Sequence, residues 1–366
     1  MKSFSALRAA ALLAAALLGG AAPYSNAFAA ELAAARPRCT AEQGQTYIDQ
    51  GRYDQAVREF TCLIESDPTG IEGYRGRIEA EVLLGRYSDA LADHARMTAK
   101  VLPVHPDAAA VILDGYAARL ASAPDSLPAL MGAGFTQWAE YDYPKTIQVI
   151  NHLLDVQPNS VFGNLFRGSS RLLKGLNRDK GVADIERALA LAPKSADVRF
   201  IISDAYTYGL PDPVRAFAEA SLALNWGLDT PRVHAILATS YFAFGDEQAA
   251  ATHLLRHFEL VTTELVPAPP LPPDASLTLP LVPGRAYEIP VSVVAGETLS
   301  IATSSRDYWD TTAVLLAPDG TPVTGSDDKN AYFAAFDWVA PATGTYRLRV
   351  TFFESVNYGD LLVTRD

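Results

Sequence analysis

One repeated run of residues constrains the fold of this chain more than any other feature. The run Gly51–Ala56 (Gly-Arg-Tyr-Asp-Gln-Ala) recurs 34 residues later as Gly85–Ala90 (Gly-Arg-Tyr-Ser-Asp-Ala). A fixed period of this length is typical of helical hairpins that stack one on the next. Because a single hairpin cannot bury its apolar face alone, the period predicts an array of at least three hairpins.

The first 30 residues have the features of a secretory signal. Lys2 and Arg8 form a basic start, and Ala9–Leu18 is a short apolar run. Ala27–Ala29 (Ala-Phe-Ala) offers a cleavage site between small residues. We therefore expect residues 1–29 to be a signal peptide and the mature chain to be periplasmic or secreted; the alternative is a retained N-terminal anchor helix. No later stretch reaches 18 consecutive apolar residues, so we expect no membrane insertion.

The charge balance argues against two classes of partner. The chain has 42 acidic and 30 basic residues, a formal net charge of -12, and no cluster of Lys and Arg. Nucleic acids and anionic membranes are bound through such clusters, so neither is an expected partner. A hydrophobic fraction of 49% with 20% charged residues fits a folded protein.

The first repeat unit has a pattern of small and aromatic residues over two candidate helices. Small residues let two antiparallel helices approach closely, aromatic residues fill the gaps beside them, and a proline stops the second helix. The residues at these offsets are Gly44, Tyr47, Ala56, Phe60 and Pro68. With this spacing the unit resembles the tetratricopeptide repeat (TPR).

Later units follow the same plan with more variation. The runs 123–126, 157–160 and 192–195 each contain proline followed two residues later by serine, at spacings of 34 and 35. The run 101–106 is irregular, so we expect the helix at 107–122 to be unpaired or part of a short hairpin. The resemblance implies a TPR-type α-solenoid over residues 37–263, a right-handed superhelix of about six helical hairpins. It also implies a groove that binds a protein or peptide partner.

The chain has two cysteines, and the register of the first unit places them near one another. Cys39 falls at the start of the first helix and Cys62 near the end of the second. These two places face each other in an antiparallel hairpin, so a disulfide is geometrically reasonable. An exported protein also meets an oxidising compartment. The alternative is a pair of buried, unpaired thiols.

Helical periodicity stops near Glu264. Residues 264–275 include a proline-rich stretch, Val266–Pro273, which we expect to be an extended and fairly stiff linker between domains. From residue 276 the period becomes two, as in Tyr346, Leu348 and Val350, which alternate with arginines. Short strands separated by Gly, Pro and Asp turns predict a β-sandwich over residues 276–366.

Three runs in this region carry a second resemblance. They are Gly296–Leu299 (Gly-Glu-Thr-Leu), Leu315–Gly320 (Leu-Leu-Ala-Pro-Asp-Gly) and Ala340–Tyr346 (Ala-Pro-Ala-Thr-Gly-Thr-Tyr). Together they resemble the bacterial pre-peptidase C-terminal (PPC) domain. The resemblance implies a jelly-roll-like sandwich that acts as an accessory module for secretion, surface attachment or substrate binding.

Two sets of residues in the predicted sandwich are candidates for binding. Asp310, Asp327 and Asp328 lie in predicted loops, where their carboxylates are able to supply ligands for Ca²⁺, the one cofactor that the sequence suggests. The alternative is that they are solvated turn aspartates. The aromatic residues are candidates for a carbohydrate or protein contact, with burial in the core or at its rim as the alternative. They are Tyr308, Trp309, Tyr332 and Phe353.

No catalytic motif is present in the sequence. The nearest candidate, His253–His257, places two histidines on one helical face but has leucine where a metalloprotease needs its glutamate, so a polar helix face is the simpler interpretation. There is no Gly-x-Ser-x-Gly elbow and no Gly-rich phosphate loop. The sequence therefore favours a non-enzymatic exported scaffold or adaptor, with a partner in the groove and the sandwich as an attachment module. The alternative is an envelope- or carbohydrate-binding sandwich with the array as a spacer.

Overall fold

The computed structural model describes residues 39–306, 308–327, 333–353 and 357–366. These residues contain thirteen α-helices followed by nine β-strands, which confirms the predicted helical repeat array and β domain. The helices are α1 (Ala41–Asp49), α2 (Tyr53–Ser66), α3 (Ile71–Leu84), α4 (Tyr87–Lys100), α5 (Ala108–Ser122), α6 (Leu127–Ala139), α7 (Tyr143–Val156), α8 (Val161–Lys174), α9 (Arg178–Leu191), α10 (Ala196–Asp204), α11 (Pro213–Asn225), α12 (Pro231–Phe244) and α13 (Glu247–Val261). Among the described helices, none has both the length and the apolar character that crossing a membrane requires.

Six pairs of helices form hairpins, namely α1–α2, α3–α4, α6–α7, α8–α9, α10–α11 and α12–α13. Small residues make the close approaches that the sequence pattern predicts. A Cβ atom at Gly44 would lie 2.5 Å from the ring of Phe60, and one at Gly76 would lie 2.1 Å from it. Two of the three serines after the predicted prolines cap the next helix: Ser160 Oγ accepts from Gly163 N (3.0 Å) and Ser195 Oγ from Val198 N (3.2 Å), whereas Ser126 makes no side-chain cap.

Helix α5 has no hairpin partner of its own, as the irregular run before it predicts. Its Tyr116 lies against Gly132 of α6, where a Cβ atom would come within 2.4 Å of the tyrosine ring. Its Arg119 donates to the buried Glu79 carboxylate of α3 (2.8 Å). Helix α5 therefore links α3 to α6, and α4 is left to pack elsewhere.

The β domain is a sandwich of a five-stranded and a four-stranded sheet. The strand orders are β1-β3-β8-β5-β6 and β2-β9-β4-β7. All described neighbours are antiparallel except β1 and β3. Side chains from both sheets, such as Ile289, Leu348 and Leu361, share one core. The strands are β1 (Glu264–Pro267), β2 (Ala275–Leu281), β3 (Arg285–Val293), β4 (Thr298–Ser305), β5 (Thr311–Leu316), β6 (Pro322–Ser326), β7 (Ala335–Val339), β8 (Gly344–Phe352) and β9 (Gly359–Arg365).

The stretch expected to be a linker is part of the sandwich. It is extended, but its first residues form the edge strand β1, parallel to β3. Further along, Leu271 is buried in the sandwich core and its N–H donates to Pro290 O (3.0 Å). Because these backbone and side-chain groups are used by the sheet, residues 264–275 do not separate two domains.

The array and the sandwich pack directly against each other. Every residue of β5 is buried, because one face lies on the sandwich core and the other on the last hairpin. Val314 and Leu316 of β5 form a cluster with Ala238 of α12 and Leu254 of α13. A strand that is covered on both faces has apolar residues at consecutive positions, as residues 313–317 do.

The predicted disulfide is present. Cys39 and Cys62 are both disulfide-bonded, and the described residues contain no free cysteine. Cys62 lies in the second half of α2. The thiols are therefore not available as nucleophiles or metal ligands.

Candidate partner-binding surface

The first helices of hairpins three to six share an inner face. On it, Trp138 of α6 donates from Nε1 to Ser169 Oγ of α8 (3.1 Å). Phe135 of α6 and Phe166 of α8 make an edge-to-face contact, with ring centroids 5.8 Å apart. A solenoid of hairpins offers this type of face to a ligand.

Helix α4 covers much of this face. Its first residue, Tyr87, is 3% exposed and lies against Phe162 and Phe166 of α8, with ring centroids 6.0 and 5.1 Å away. Both the backbone N–H and the hydroxyl of Ser88 donate to Asp197 Oδ1 of α10, each at 2.7 Å. The chain itself thus occupies the face at α8 and at the start of α10.

His94 extends the same contact along α4. Its Nε2 lies 2.9 Å from Glu140 Oε1, just after α6, so α4 reaches α6, α8 and α10 in turn. Phe162 and Leu165 of α8, as well as Ser169, are 2% exposed or less. A partner that binds the array without displacing α4 must therefore use a different part of the inner face.

Aromatic and charged side chains at the far ends of α6, α10 and the start of α12 form such a part. We call it the tyrosine patch, and its residues are Tyr141, Tyr143, Asp204, Tyr208 and Arg232. Tyr141 is 69% exposed and Tyr208 is 40% exposed. The rings of Tyr141 and Tyr143 meet edge to face, with centroids 6.3 Å apart.

Tyr141 occupies a backbone position that other hairpins give to glycine. Gly51, Gly85 and Gly245 each stand two residues before the second helix of their hairpin, with φ of 69°, 75° and 79°. Tyr141 stands at the same place before α7, with φ of 61°. The turns also share hydrogen bonds: Tyr141 N donates to Trp138 O (3.0 Å), as Gly245 N donates to Phe242 O (3.0 Å). A tyrosine with this φ costs about 1 kcal/mol relative to glycine, so its ring is kept against the preference of the turn.

Tyr208 also owes its position to a departure from the regular hairpin. Helix α10 ends in a π-helical turn, Ala205–Gly209, which adds a residue to the last turn. A Cβ atom at Gly209 would lie 2.6 Å from the backbone of Leu173, so this turn packs tightly on α8. Two independent irregularities, at Tyr141 and at Tyr208, therefore supply exposed tyrosines to one surface.

An ion pair forms the floor of the patch. Arg232 donates from Nε to Oδ1 of the buried Asp204 (2.6 Å), and its guanidinium lies 5.4 Å from the centroid of the Tyr208 ring. Burial disfavours the arginine charge, but the Asp204 carboxylate outweighs it and raises the pKa of Arg232 above its usual value. Burial and the Asp204 charge raise the pKa of Tyr143. At neutral pH the patch offers a protonated Tyr143 phenol beside a neutralised ion pair.

Two of the predicted calcium ligands lie at one end of the sandwich. Asp310 precedes β5 and Asp327 follows β6, and the β5–β6 register, with Ala313 opposite Ser326, brings these two strand ends together. Asp328 lies outside the described residues. Within the described part of the chain, no three His, Cys, Asp or Glu side chains form a group able to hold a metal ion. The three-aspartate site therefore stays a prediction.

The predicted aromatic contacts have different surroundings. Tyr308 is 75% exposed, with φ of 58°, and Trp309 is partly exposed. Phe353 instead stacks on His257 of α13, with ring centroids 4.5 Å apart, so it belongs to the junction with the array. Tyr332 lies outside the described residues.

His253 and His257 do not converge on one site. His253 Nδ1 lies 2.8 Å from His234 Nδ1 of α12, and His234 Nε2 donates to Asp229 Oδ1 (2.8 Å). His257 stacks on Phe353 of the sandwich, while its Nδ1 donates to the Pro231 carbonyl oxygen at the start of α12 (3.0 Å). The polar-face interpretation of this helix missed that His257 is fully buried.

Sequence reasoning also missed a set of ion pairs inside the hairpins. An arginine on the first helix reaches an acid on the second in three hairpins, 16, 17 and 20 residues further along. The pairs are Arg77–Asp93 (2.7 Å), Arg167–Asp184 (2.8 Å) and Arg199–Glu219 (2.5 Å). The similar spacings of 16 and 17 residues are the sequence signal that identifies the first two pairs.

Comparison with known proteins gives similarities of fold to parts of the chain. A family model described as the bacterial transcriptional activator domain matches residues 3–107, of 366. No curated protein matches.

Solved structures similar to parts of this chain include TPR proteins and a pre-peptidase C-terminal domain. A TPR protein from Parabacteroides merdae is 17% identical, covers 60% of this chain and 77% of that one, and has a TM-score of 0.36. PilF of Pseudomonas aeruginosa is 16% identical, covers 60% and 89%, and has a TM-score of 0.36. The pre-peptidase C-terminal domain of a Bacillus anthracis collagenase is 13% identical, covers 28% and 95%, and has a TM-score of 0.25.

Proposed function

We propose that this protein is an exported, non-catalytic scaffold whose helical array binds a protein or peptide partner at the tyrosine patch. The observation that carries the proposal is Tyr141, an exposed tyrosine in a turn conformation that three other hairpins give to glycine. A side chain kept at a conformational cost on the surface is better explained by binding than by folding. The sandwich would serve as a second, attachment module.

Export is supported by the N-terminal residues and by the disulfide. The basic start, short apolar run and small-residue site of residues 1–29 fit a signal peptide. A disulfide between Cys39 and Cys62 fits an oxidising compartment, where such bonds persist. We propose a periplasmic or secreted location on these grounds.

The composition of the patch favours an extended partner segment. Tyrosine rings provide large contact area at low conformational-entropy cost, and their hydroxyls add hydrogen bonds. Because Asp204 neutralises Arg232, the patch does not select a strongly charged partner. Proline-rich or aromatic segments in an extended conformation have the apolar faces that such ring-lined surfaces bind.

The experiment that tests the proposal compares full-length variants in affinity capture from the envelope fraction of the native host. Tyr141→Gly removes the ring and gives the turn its preferred residue. Asn177→Gly is the matched control, since Asn177 is a second non-glycine residue with positive φ at a hairpin turn. We expect Tyr141→Gly to weaken binding of the purified partner by about tenfold, as for a central tyrosine contact, and Asn177→Gly to leave it unchanged. Equal binding by both variants would contradict the proposal.

A second candidate function is carbohydrate binding by the sandwich, and one observation favours it. Tyr308 is exposed and has a positive φ. It follows β4 and the exposed Tyr358 precedes β9. Because Ser305 of β4 lies opposite Leu361 of β9, both tyrosines lie at the same end of the sheet. Exposed rings of this kind stack on sugar faces. Co-sedimentation with insoluble envelope polysaccharide tests it: Tyr308→Ala should abolish binding and Tyr141→Gly should not. No binding by the wild-type chain removes this candidate.

A further inference from the structure

The contact between array and sandwich contains a histidine that neither the scaffold proposal nor the core packing explains. Helix α13 lies along β5 and β6, where Leu254 comes within 3.1 Å of a Cβ atom built at Gly325. One turn further along α13, His257 is 0% exposed. Its ring stacks on Phe353 of the sandwich at 4.5 Å with an interplanar angle of 27°. An imidazole thus forms one end of the junction; at the other end, Glu247 of α13 lines a cavity together with Asp327 and Asp337 of the sandwich.

One hydrogen bond fixes the His257 ring, and another fixes the backbone of Phe353. The Pro231 carbonyl only accepts, so His257 Nδ1 carries the hydrogen that it donates at 3.0 Å. An added proton must therefore go to Nε2, which is buried between α13 and the sandwich. Phe353 is held by its own N–H, which donates to Asp310 O before β5 (2.8 Å).

Among the described residues, the groups that favour a protonated His257 are the backbones of Pro231 and Phe353, and none is a carboxylate. Arg349 of β8 lies 5.8 Å from the Phe258 ring and donates to Glu288 of β3 (2.9 Å). On the array side, Arg256 pairs with both Asp229 (2.5 Å) and Glu259 (3.2 Å). The described titratable and charged groups that face the junction are Asp229, His234, His253, Arg256, Glu247 and Glu259 on the array, and Glu288, Asp310, Asp327, Asp337 and Arg349 on the sandwich.

Burial lowers the pKa of His257 to about 4, from an ordinary value of 6.5. The neutral imidazole is therefore the form that the closed junction accepts at neutral pH. If the junction opens, water solvates the ring and its pKa returns toward the ordinary value.

We propose that His257 is an acid-sensitive latch between the helical array and the sandwich, whose protonation opens the junction. The latch is independent of any partner at the tyrosine patch. Above pH 6.5 both the open and the closed states hold a neutral ring, so the histidine does not bias the junction. Below that pH the open state takes up the proton first, and the equilibrium shifts toward opening by about 30-fold at pH 5.

The neighbouring histidine pair does not act as the latch. Protonation of His234 or His253 places a charge next to Asp229, which already accepts from His234 Nε2. Both rings belong to the same hairpin, α12–α13, so their protonation does not separate the two parts. His257 alone places its ring on the sandwich.

Small-angle scattering of the full chain with its disulfide intact tests the proposal, together with far-ultraviolet circular dichroism. Measurements at pH 7.5 and pH 5 compare the wild type, His257→Phe, which keeps a ring but cannot be protonated, and His152→Phe, a control at an exposed histidine of α7. We expect the wild type and His152→Phe to expand at pH 5 with helical content retained. We expect His257→Phe to keep its pH 7.5 dimensions.

Two results would overturn the latch. One is a wild type whose dimensions are the same at both pH values, and the other is His257→Phe expanding as the wild type does. Should His257→Phe fail to fold at pH 7.5, the His257 ring is followed by NMR in the isotope-labelled wild type. A midpoint near 4 in the closed state supports the proposal, and a midpoint of 6 or above overturns it.

Discussion

The second hairpin, α3–α4, and the last one, α12–α13, bury titratable groups in opposite ways. In the second hairpin Arg77 pairs with Asp93, and a further carboxyl group, Glu81, lies beside them at 6% exposure. In the last hairpin His234 and His257 are buried without a net charge. The second hairpin therefore pairs its buried charges with each other, whereas the last hairpin keeps His234 and His257 neutral and pairs Arg232 with Asp204 of the preceding hairpin.

The difference follows from what each hairpin contacts. Helix α4 packs on α3 and also covers α8 and α10. Its polar side chains therefore pair in both directions, Asp93 with Arg77 of α3 and Ser88 with Asp197 of α10. Helix α13 covers the apolar strand face formed by Val314 and Leu316. A permanent charge buried against this face would lose its hydration and destabilise the contact. The comparison predicts that alkaline pH weakens the second hairpin and that acid weakens the last.

Breaking the charge pair of the second hairpin should have the largest effect. Arg77→Met removes the bidentate partner of the buried Asp93 but leaves Arg96, which also donates to Asp93 (2.6 Å), so we expect a loss of about 3 kcal/mol, the lower end for a broken buried pair. Arg86→Met is the matched control, because Arg86 and Asp54 form an exposed pair 2.8 Å apart, for which we expect a loss of about 0–1 kcal/mol. Urea unfolding gives both values, and similar losses in the two variants would contradict the comparison.

Glu81→Gln should stabilise the protein. Burial, followed by the charge of Asp93, raises the pKa of Glu81 to about 9, so the folded protein holds this proton at neutral pH and the unfolded chain does not. Wild-type stability therefore falls as pH rises from about 4.5 to about 9. At pH 7.5 we expect Glu81→Gln to gain about 2–3 kcal/mol in urea unfolding, with no gain near pH 4.5. A gain that is the same at both pH values would show that the glutamate is not protonated.

The last hairpin should respond to pH in the opposite sense. Burial, then the neighbouring His234, lowers the pKa of His253 to about 4 from 6.5. The unfolded chain takes up this proton first, so wild-type stability falls as pH drops below 6.5. We expect His253→Gln to reduce the loss between pH 7 and pH 5 by about 1–2 kcal/mol in urea unfolding. If the free energy of unfolding of His253→Gln depends on pH as that of the wild type does, His253 does not contribute to the acid sensitivity of the last hairpin.

Tyr141→Gly should have the smallest effect on stability, and in a favourable direction. Glycine adopts the positive φ of this turn without strain, although the contact with Tyr143 is lost. We expect a gain of about 0.5 kcal/mol, measured by urea unfolding together with the partner affinity. A loss above about 1 kcal/mol would mean that the ring is needed for folding, which would remove the argument for binding.

Much of the architecture is predictable from local chemistry. Hairpin turns at Gly51 and Gly85, the serine cap at Ser160 and the change to strands near residue 276 follow from residue preferences that act over a few positions. The apolar run 313–317 also carried the information that β5 is covered on both faces. The run does not settle this coverage by itself, because short buried strands and half-buried strands differ by only a few residues.

The candidate surface was harder to predict, because it depends on contacts between distant residues. The bond between Ser88 and Asp197 joins residues 109 positions apart, and no local pattern requires it. Tyr141 is different: aligned with the Gly-Arg-Tyr turns, the run Tyr141–Tyr143 shows a tyrosine in place of glycine. That substitution was visible, but its cost became clear only with the positive φ.

Photo-crosslinking in the full-length chain tests the scaffold claim most directly. A photoreactive phenylalanine analogue is placed at position 141 or at position 244, where Phe244 is partly exposed at the end of α12. The protein is then expressed and exported in the native host before irradiation. The account predicts a discrete crosslinked protein partner from position 141 and none from position 244. Equal crosslinking from both positions, or none from position 141, would contradict it.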